Sequence, residues 1–416
     1  MIMMNDLERR QLGCALSALT VFRGVLRHAP MQALLAYLNG NGPAYQRMSD
    51  YGAFVASLAE DDTNFSVFLR RAVYTDENPY VIGTAKKKPL SASLKKNALA
   101  ELALFSRLTR LTTEDLISAD ENTCDASTCT ANVCDASACS DIAYIPVFEN
   151  TPVDFTAAYE KRLACIGQYG YGIFAQAKMF RVAGEEIVPV EAADEIEVER
   201  FVGYEEERRQ VFDNTRALVD GKPAANVLLF GDAGTGKSST VKACANYFAD
   251  QGVRLIELRK DQLFSLSSVM GRISENPLKF IIFIDDLSFN KNDDCFSMLK
   301  AALEGSASAK ANNAVIYATS NRRHIVKENF SDRAGADDVH HSDTVQELMS
   351  LSDRFGLTVY FSKPNKALYL EIIHKLAEKH GVDVPYAELD VKAEAFALAK
   401  GSRSPRAAEQ FINSLL

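Results

Sequence analysis

The residues with the clearest chemistry lie in one short run, Gly231-Asp232-Ala233-Gly234-Thr235-Gly236-Lys237-Ser238, followed by Ser239. Its spacing, G-x-x-x-x-G-K-[ST], belongs to loops that cradle phosphates between a strand and a helix. The apolar run Val227–Phe230 precedes it, and a helical pattern over Ser239–Ala249 follows. Glycines let the backbone curl until successive N–H groups face the phosphate oxygens, and the helix N-terminus adds partial positive charge. Lys237 then reaches the β- and γ-phosphates, and the Ser238 hydroxyl becomes a ligand for Mg²⁺.

Some 45 residues on, Phe280-Ile-Ile-Phe-Ile-Asp285-Asp286 is an apolar strand ending in two carboxylates. Strand C-termini in open α/β sheets face the ligand crevice. Asp285 is therefore expected to hold Mg²⁺, and Asp286 to orient the attacking water. A further strand ends in Ala318-Thr319-Ser320-Asn321, followed by Arg322, Arg323 and His324. Asn321 is the first choice for a polar group beside the γ-phosphate, with Ser320 as the fallback. Arg354, in Ser352-Asp-Arg-Phe-Gly356, and Arg403 and Arg406, in Gly401-Ser-Arg-Ser-Pro-Arg406, are the arginines available to stabilise charge on a transferring phosphoryl group. Each could equally form an ordinary surface ion pair.

The elements that must position these groups follow from periodicity. Strands are expected at Val227–Phe230, Val253–Leu258, Phe280–Ile284, Ala314–Thr319 and Leu357–Phe361, with helical intervals between them. That alternation predicts an α/β fold with a parallel sheet covered on both faces. After Pro364 the strands stop, and Ala367–His380, Val391–Lys400 and Pro405–Leu415 read as three helices. Residues 1–118 read as a helical N-terminal domain, with Leu12, Leu16, Leu19, Phe22 and Leu26 at helical steps and a second helical stretch from Ser91 to Leu116. Residues 119–145 form a linker or loop of Ala, Ser, Thr, Asp and Cys, and 146–200 a connecting segment with a short strand at Ile187–Val190. The nucleotide-binding core spans 201–363 and a helical cap 364–416.

The 416 residues are 47% hydrophobic and 24% charged, which excludes disorder over the whole length. No uncharged apolar run reaches the roughly 18 residues of a membrane span, and the N-terminus lacks the pattern of a secretory signal, so the expected setting is cytoplasmic. The net charge of −9 argues against a chain-wide grip on nucleic acid. Residues 1–110 nevertheless carry 14 Lys and Arg against 9 Asp and Glu, with Lys86–Lys88, Lys95 and Lys96 as a basic patch. Cys124, Cys129, Cys134 and Cys139 recur every five residues inside an imperfect ten-residue duplication. Repeat slippage in a surface loop explains them better than a metal site, whose thiol pairs favour other spacings. His340 and His341 lack companion ligands and read as loop residues.

In order along the chain, Gly231–Ser238, Asp285-Asp286, Asn321, Arg354 and Arg406 match Walker A, Walker B, sensor 1, arginine finger and sensor 2, so the chain resembles AAA+ ATPases. The wording of Gly231–Lys242, Ile284–Phe289, Tyr317–His324 and Leu351–Leu357 resembles a bacterial family of predicted AAA+ ATPases of unknown function, from about Tyr169 onward. The resemblance implies a five-stranded sheet of order 5-1-4-3-2, a C-terminal helical lid, ATP with Mg²⁺, and a homo-oligomer with sites at subunit boundaries. It also puts Gly203 and Tyr204 where such proteins contact adenine, although packing ahead of the first core helix accounts for them as well. Where many AAA+ proteins carry Asp-Glu, this chain has Asp285-Asp286, as replication initiators and helicase loaders do. The expected activity is Mg·ATP hydrolysis driving conformational switching or remodelling of an unknown partner, for instance a protein. The alternatives are a DNA-associated loader or a nucleotide-gated interaction module with little turnover.

Overall fold

The computed structural model describes residues 5–59, 63–121, 145–190, 201–287, 294–304, 312–321 and 354–416. The Cys124–Cys139 repeat and the His340-His341 pair lie outside them. The chain divides into two compact units, Met1–Ile166 and Gly167–Leu416.

The described part of the first unit is helical: α1 (Asp6–Ser17), α2 (Ala29–Asn39), α3 (Ala44–Ala56), α4 (Phe65–Thr75), α5 (Pro79–Ala85), α6 (Ala92–Leu108), α7 (Thr113–Glu121) and α8 (Phe155–Ala164). The single helical stretch expected from Ser91 to Leu116 is in fact two helices. Thr112 and Asp115 explain the break. The Asp115 amide donates to Thr112 Oγ1 (3.2 Å) and the Thr112 amide to Asp115 Oδ2 (2.9 Å), a reciprocal cap that starts α7. Edge-on rings of Phe22, Phe105, Phe155 and Tyr159 fill the centre. Buried Glu101 accepts from the Thr20 amide (2.7 Å), the Thr20 hydroxyl (2.8 Å) and the Phe22 amide (2.8 Å), which fixes the turn after α1 to α6.

The second unit opens with the single-turn α9 (Ile166–Tyr169), whose first residue ends the first unit, and then forms one sheet. Its strands are β1 (Met179–Ala183), β2 (Glu186–Pro189), β3 (Val227–Gly231), β4 (Val253–Glu257), β5 (Lys279–Ile284), β6 (Ala314–Ser320) and β7 (Leu357–Phe361). The expected five-stranded parallel sheet is corrected to a seven-stranded mixed one, ordered β2-β1-β4-β5-β6-β3-β7. Its five later strands keep the relative order anticipated for them. The addition is the hairpin β1–β2, antiparallel within itself and joined in parallel to β4. Gly184 (φ +64°) sits in the connection and supplies the positive φ that a tight hairpin turn requires.

Helices α10 (Glu205–Val219) and α11 (Lys237–Tyr247) cover one face, where Val211, Leu218, Val241 and Cys244 meet Leu229, Ile281, Phe283 and Tyr317. On the other face, α12 (Leu266–Ile273) and Leu299 of α13 (Asp294–Glu304) pack on Phe280, Ile282, Ile284 and Ile316. With both faces buried, the central strands carry near-continuous apolar runs, which is why β5 was legible as a buried strand. Three helices close the chain, α14 (Lys366–His380), α15 (Tyr386–Lys400) and α16 (Pro405–Asn413), around Tyr369, Ile373, Leu389, Ala393 and Phe411. Among the described residues no helix is long and apolar enough to cross a membrane.

In the first unit, half-buried Asp76 has its pKa raised to about 6, chiefly by burial and against the hydrogen bond from Asn78. Its proton is held more tightly in the folded state than in the unfolded one. Stability therefore falls as pH rises through the window from about 4 to 6, and stays lowered above it. An Asp76→Asn variant is expected to unfold at higher urea than the parent at pH 8, by about 1 kcal/mol, with the difference gone at about pH 4. Equal midpoints at pH 8 would contradict this.

Candidate functional site

Parallel strands align their C-terminal ends, so whatever follows β3, β5 and β6 meets at one edge of the sheet. β3 runs into the Gly231–Gly236 loop and then α11. Gly231 (φ +134°), Gly234 (φ +76°) and Gly236 (φ +93°) give that loop its curl. A Cβ on Gly231 would come within 2.1 Å of the Phe361 carbonyl oxygen on β7, so the close approach of these strands needs glycine. Gly234 faces the start of α16: its carbonyl accepts from the Arg406 amide (3.3 Å), and a Cβ there would lie 3.2 Å from Ser404 Oγ.

Lys237, first residue of α11, is buried. Its ammonium donates to the carbonyls of Gly231 (3.0 Å) and Asp232 (2.7 Å) and to Asn321 Oδ1 (3.0 Å). Burial lowers its pKa, opposed by the charges of Asp232, Asp285 and Asp286. The next residue, Ser238, donates its hydroxyl to Asp285 Oδ1 at 2.6 Å. Asn321, just beyond β6, also donates through Nδ2 to Asp286 Oδ1 (2.9 Å), so one amide bridges the lysine and the second carboxylate. A cavity of about 240 Å³ opens among Lys237, Ser238, Asp285, Asp286, Asn321 and Arg406. Ala233, Gly234, Gly236, Ser239 and Thr319 complete its lining.

A second cavity, of about 280 Å³, adjoins the first and shares Gly234, Gly236, Ser239 and Arg406 with it. Phe201, Tyr204, Arg208, Thr235, Ile372 and Glu409 also line it. Tyr204 precedes α10 in the left-handed region (φ +59°). Its ring stacks on Phe361 at 5.4 Å and its hydroxyl donates to the Ser362 carbonyl (2.7 Å), so packing and cavity lining are both its business. Burial raises its pKa. Gly203 (φ +76°) donates its amide to Glu205 Oε1 (3.1 Å) and lies against Leu368 of α14 rather than on the cavity wall.

The candidate polar and cationic residues differ in position. Side chains alternate along β6, so Asn321 falls on the α11 face with Tyr317, while the fallback Ser320 falls on the opposite face. Arg403 is paired with Glu394 through two bonds (2.9 and 2.7 Å), whereas Arg406 lines both cavities. Arg354 is not brought to this site. It precedes β7, whose Leu357 pairs with Val227 and whose Phe361 pairs with Gly231. It therefore lies at the far end of the strands, roughly 13 Å or more from the loop at about 3.3 Å per residue.

Two residues of the site were not singled out from sequence. The Thr319 hydroxyl donates to Asp285 Oδ1 and accepts from the Asp286 amide (2.9 Å). Its same-face spacing from Asn321 was the available signal. Arg208 lines the second cavity, with its guanidinium 5.4 Å from the Phe201 ring and 3.7 Å from Glu205. Nothing local marks it out, since an arginine on an acidic helix usually means a surface pair. Among the described residues no group of three His, Cys, Asp or Glu could hold a metal on its own. The oxygen pair of Ser238 and Asp285 suits a hard divalent cation that draws its remaining ligands from phosphate and water.

Residues 175–416 match the profile of a family described as "protein of unknown function (DUF815)". The chain belongs to that family. No curated protein matches it. Among solved structures, this DUF815 member is similar to the RuvB Holliday junction branch migration motor of Thermotoga maritima, at 15% identity, covering 52% of this chain and 63% of that one, with a TM-score of 0.35. Two variants of the same Thermotoga protein give 15% and 14% identity, 52% of this chain, 63% and 64% of theirs, and TM-scores of 0.36 and 0.37. The chain thus spans less than two thirds of the length of those RuvB chains.

The closeness of Gly231 to β7 predicts a contrast between two glycine substitutions. Gly231→Ala is expected to lose at least about 2 kcal/mol in denaturant unfolding, because strained φ and collision with backbone combine. Gly221→Ala, at φ +70° with open space around it, is expected to lose about 1 kcal/mol. Equal losses would show that the contact with Phe361 is not what constrains the loop.

Proposed function

We propose that this chain is an ATPase of the AAA+ class that hydrolyses Mg·ATP to switch or remodel a partner. The observation that carries the reading is the hydrogen-bonded convergence of Lys237, Ser238, Asp285, Asp286 and Asn321, delivered by three separate strands to one cavity. In this reading the amides of the Gly231–Ser238 loop and the Lys237 ammonium receive the β- and γ-phosphates. The adjoining cavity beside Tyr204 and Arg208 takes the nucleoside, and Arg406 on α16 spans the two. Ser238 and Asp285 would hold Mg²⁺, which when bound neutralises charge on the phosphate oxygens. Asp286 orients the attacking water, and Asn321 fixes the Asp286 carboxylate while its carbonyl keeps Lys237 in line. The contact between Gly234 and the start of α16 supports reading the three C-terminal helices as a lid, because phosphate bound at the loop would be felt at Arg406.

The position of Arg354 supports a shared site. Because it lies at the end of β7 away from its own loop, we read it as acting on the site of a neighbouring copy, which makes the active form a homo-oligomer. The partner is read as a protein. The exposed Lys87, Lys88, Lys95 and Lys96 favour a DNA-associated ATPase as the second reading, and stimulation by DNA that fades steeply with added salt would select it.

Asp286→Asn subunits keep Arg354, and Arg354→Ala subunits keep an intact Asp286. Each variant alone is expected to be inactive. Mixed and co-assembled, they should recover about a tenth or more of the parent ATPase rate, since an arginine supplied across a boundary is worth orders of magnitude. No recovery in particles shown to contain both variants would overturn the shared site. Absence of Mg·ATP hydrolysis by the parent, with and without protein or DNA, would overturn the ATPase reading itself.

A further inference from the structure

Two adjacent carboxylates at a strand end pose a geometric problem. Successive side chains of a strand point to opposite faces. On β5, Ile281 and Phe283 face α10 and α11, while Phe280, Ile282 and Ile284 face α12 and α13. Continued alternation puts Asp285 on the α11 face with Lys237, and sends Asp286 to the other face, away from it.

The structure breaks the alternation. Asp286 has φ +49°, in the left-handed region that L side chains rarely adopt, and it is one of only four such non-glycine residues among the described residues. Its carboxylate consequently reaches Asn321 on the α11 side (2.9 Å), and Leu287 takes the place in the core of the opposite face. One residue is in effect interposed, and both carboxylates reach the same cavity.

Thr319 holds that reversal from the neighbouring strand. Its hydroxyl accepts from the Asp286 amide (2.9 Å) and donates to Asp285 Oδ1, and its carbonyl accepts from the Leu287 amide (2.7 Å). A hydroxyl has both a proton to give and lone pairs to receive, which this double role demands. We infer that Thr319 is a positioning residue: its hydroxyl, clamped between the Asp285 carboxylate and the Asp286 amide, keeps Asp286 in the left-handed conformation that turns its carboxylate into the site. The functional consequence rests on the ATPase reading above, whereas the structural consequence does not.

The test compares full-length Thr319→Val, which keeps the shape and loses the hydroxyl, with Thr319→Ser, which keeps the hydroxyl. Crystal structures of both and of the parent, grown without nucleotide, are expected to show the Asp286 φ and the Asp286–Asn321 bond preserved in parent and Ser, and lost in Val. With Mg·ATP, kcat is expected to fall about 30-fold in Val with KM within about threefold, the pattern of an interaction that matters only in the transition state, and to return in Ser. Should Val fail to fold, Thr319→Ala removes the hydroxyl without adding bulk and carries the same expectation. A Val or Ala variant that keeps the Asp286 conformation, or a Ser variant that loses it, overturns the inference. If the geometry changes as expected while the parent neither binds nor hydrolyses Mg·ATP, the ATPase reading fails and the positioning of Asp286 by Thr319 stands.

Discussion

A buried ammonium must be surrounded by oxygen, and in this protein that requirement organises the site. Lys237 satisfies its charge with two loop carbonyls and with the side-chain oxygen of Asn321. Those three acceptors come from the end of β3 and the end of β6. The ammonium therefore fixes the loop against a strand 84 residues further along the chain. Leaving such a charge without partners would cost several kcal/mol, so the loop is held in its curl by electrostatics as well as by glycine. Burial lowers the lysine pKa, opposed by the charges of Asp232, Asp285 and Asp286 and reinforced by Arg406.

The sheet supplies the rigidity this arrangement needs. β5, β6 and β3 are neighbours in parallel register, with Ile284 level with Ala318 and Phe230 level with Ser320, so their ends arrive together. Apolar residues on both faces fix that register, since a slip of one residue would exchange the faces of every side chain. Polar bonds beneath the site add to it. Tyr317 shares its hydroxyl with Thr215 (2.6 Å) and Asn214 (3.0 Å) of α10, and Cys244 of α11 donates to Thr215 (3.2 Å). The strand that carries Thr319 and Asn321 is thereby tied to both helices on that face.

What the sequence made legible follows from how local each signal is. Gly231–Ser238 and the buried run of β5 are contiguous patterns with one dominant structural solution, and the strands that carry them lie where expected. Leu357–Phe361 was equally clear because its apolar and polar residues stand between turn signals. The hairpin β1–β2 was only half seen. Ile187–Val190 looked extended, but Met179–Ala183 draws its place from pairing with β4, across more than 70 residues, which no local window contains. The choice between Arg403 and Arg406 also depended on tertiary partners, Glu394 for one and the loop for the other. The left-handed turn at Asp286 was hidden for a different reason: strand alternation, the rule that served elsewhere, is broken at that residue. Gly203, read either as an adenine contact or as packing ahead of the first core helix, lies against Leu368.

The central claim is that the Lys237 ammonium and the oxygens of Ser238 and Asp285 together form a receptor for a magnesium-bound triphosphate. Titration calorimetry with a slowly hydrolysed ATP analogue, with Mg²⁺ and with EDTA, on the parent and on Lys237→Ala, tests it directly. Binding to the parent is expected in the micromolar range, weakened at least tenfold by EDTA and by the substitution, each tenfold being about 1.4 kcal/mol. Heat-silent titration of the folded parent at millimolar analogue, or equal affinity in Lys237→Ala, would contradict the account.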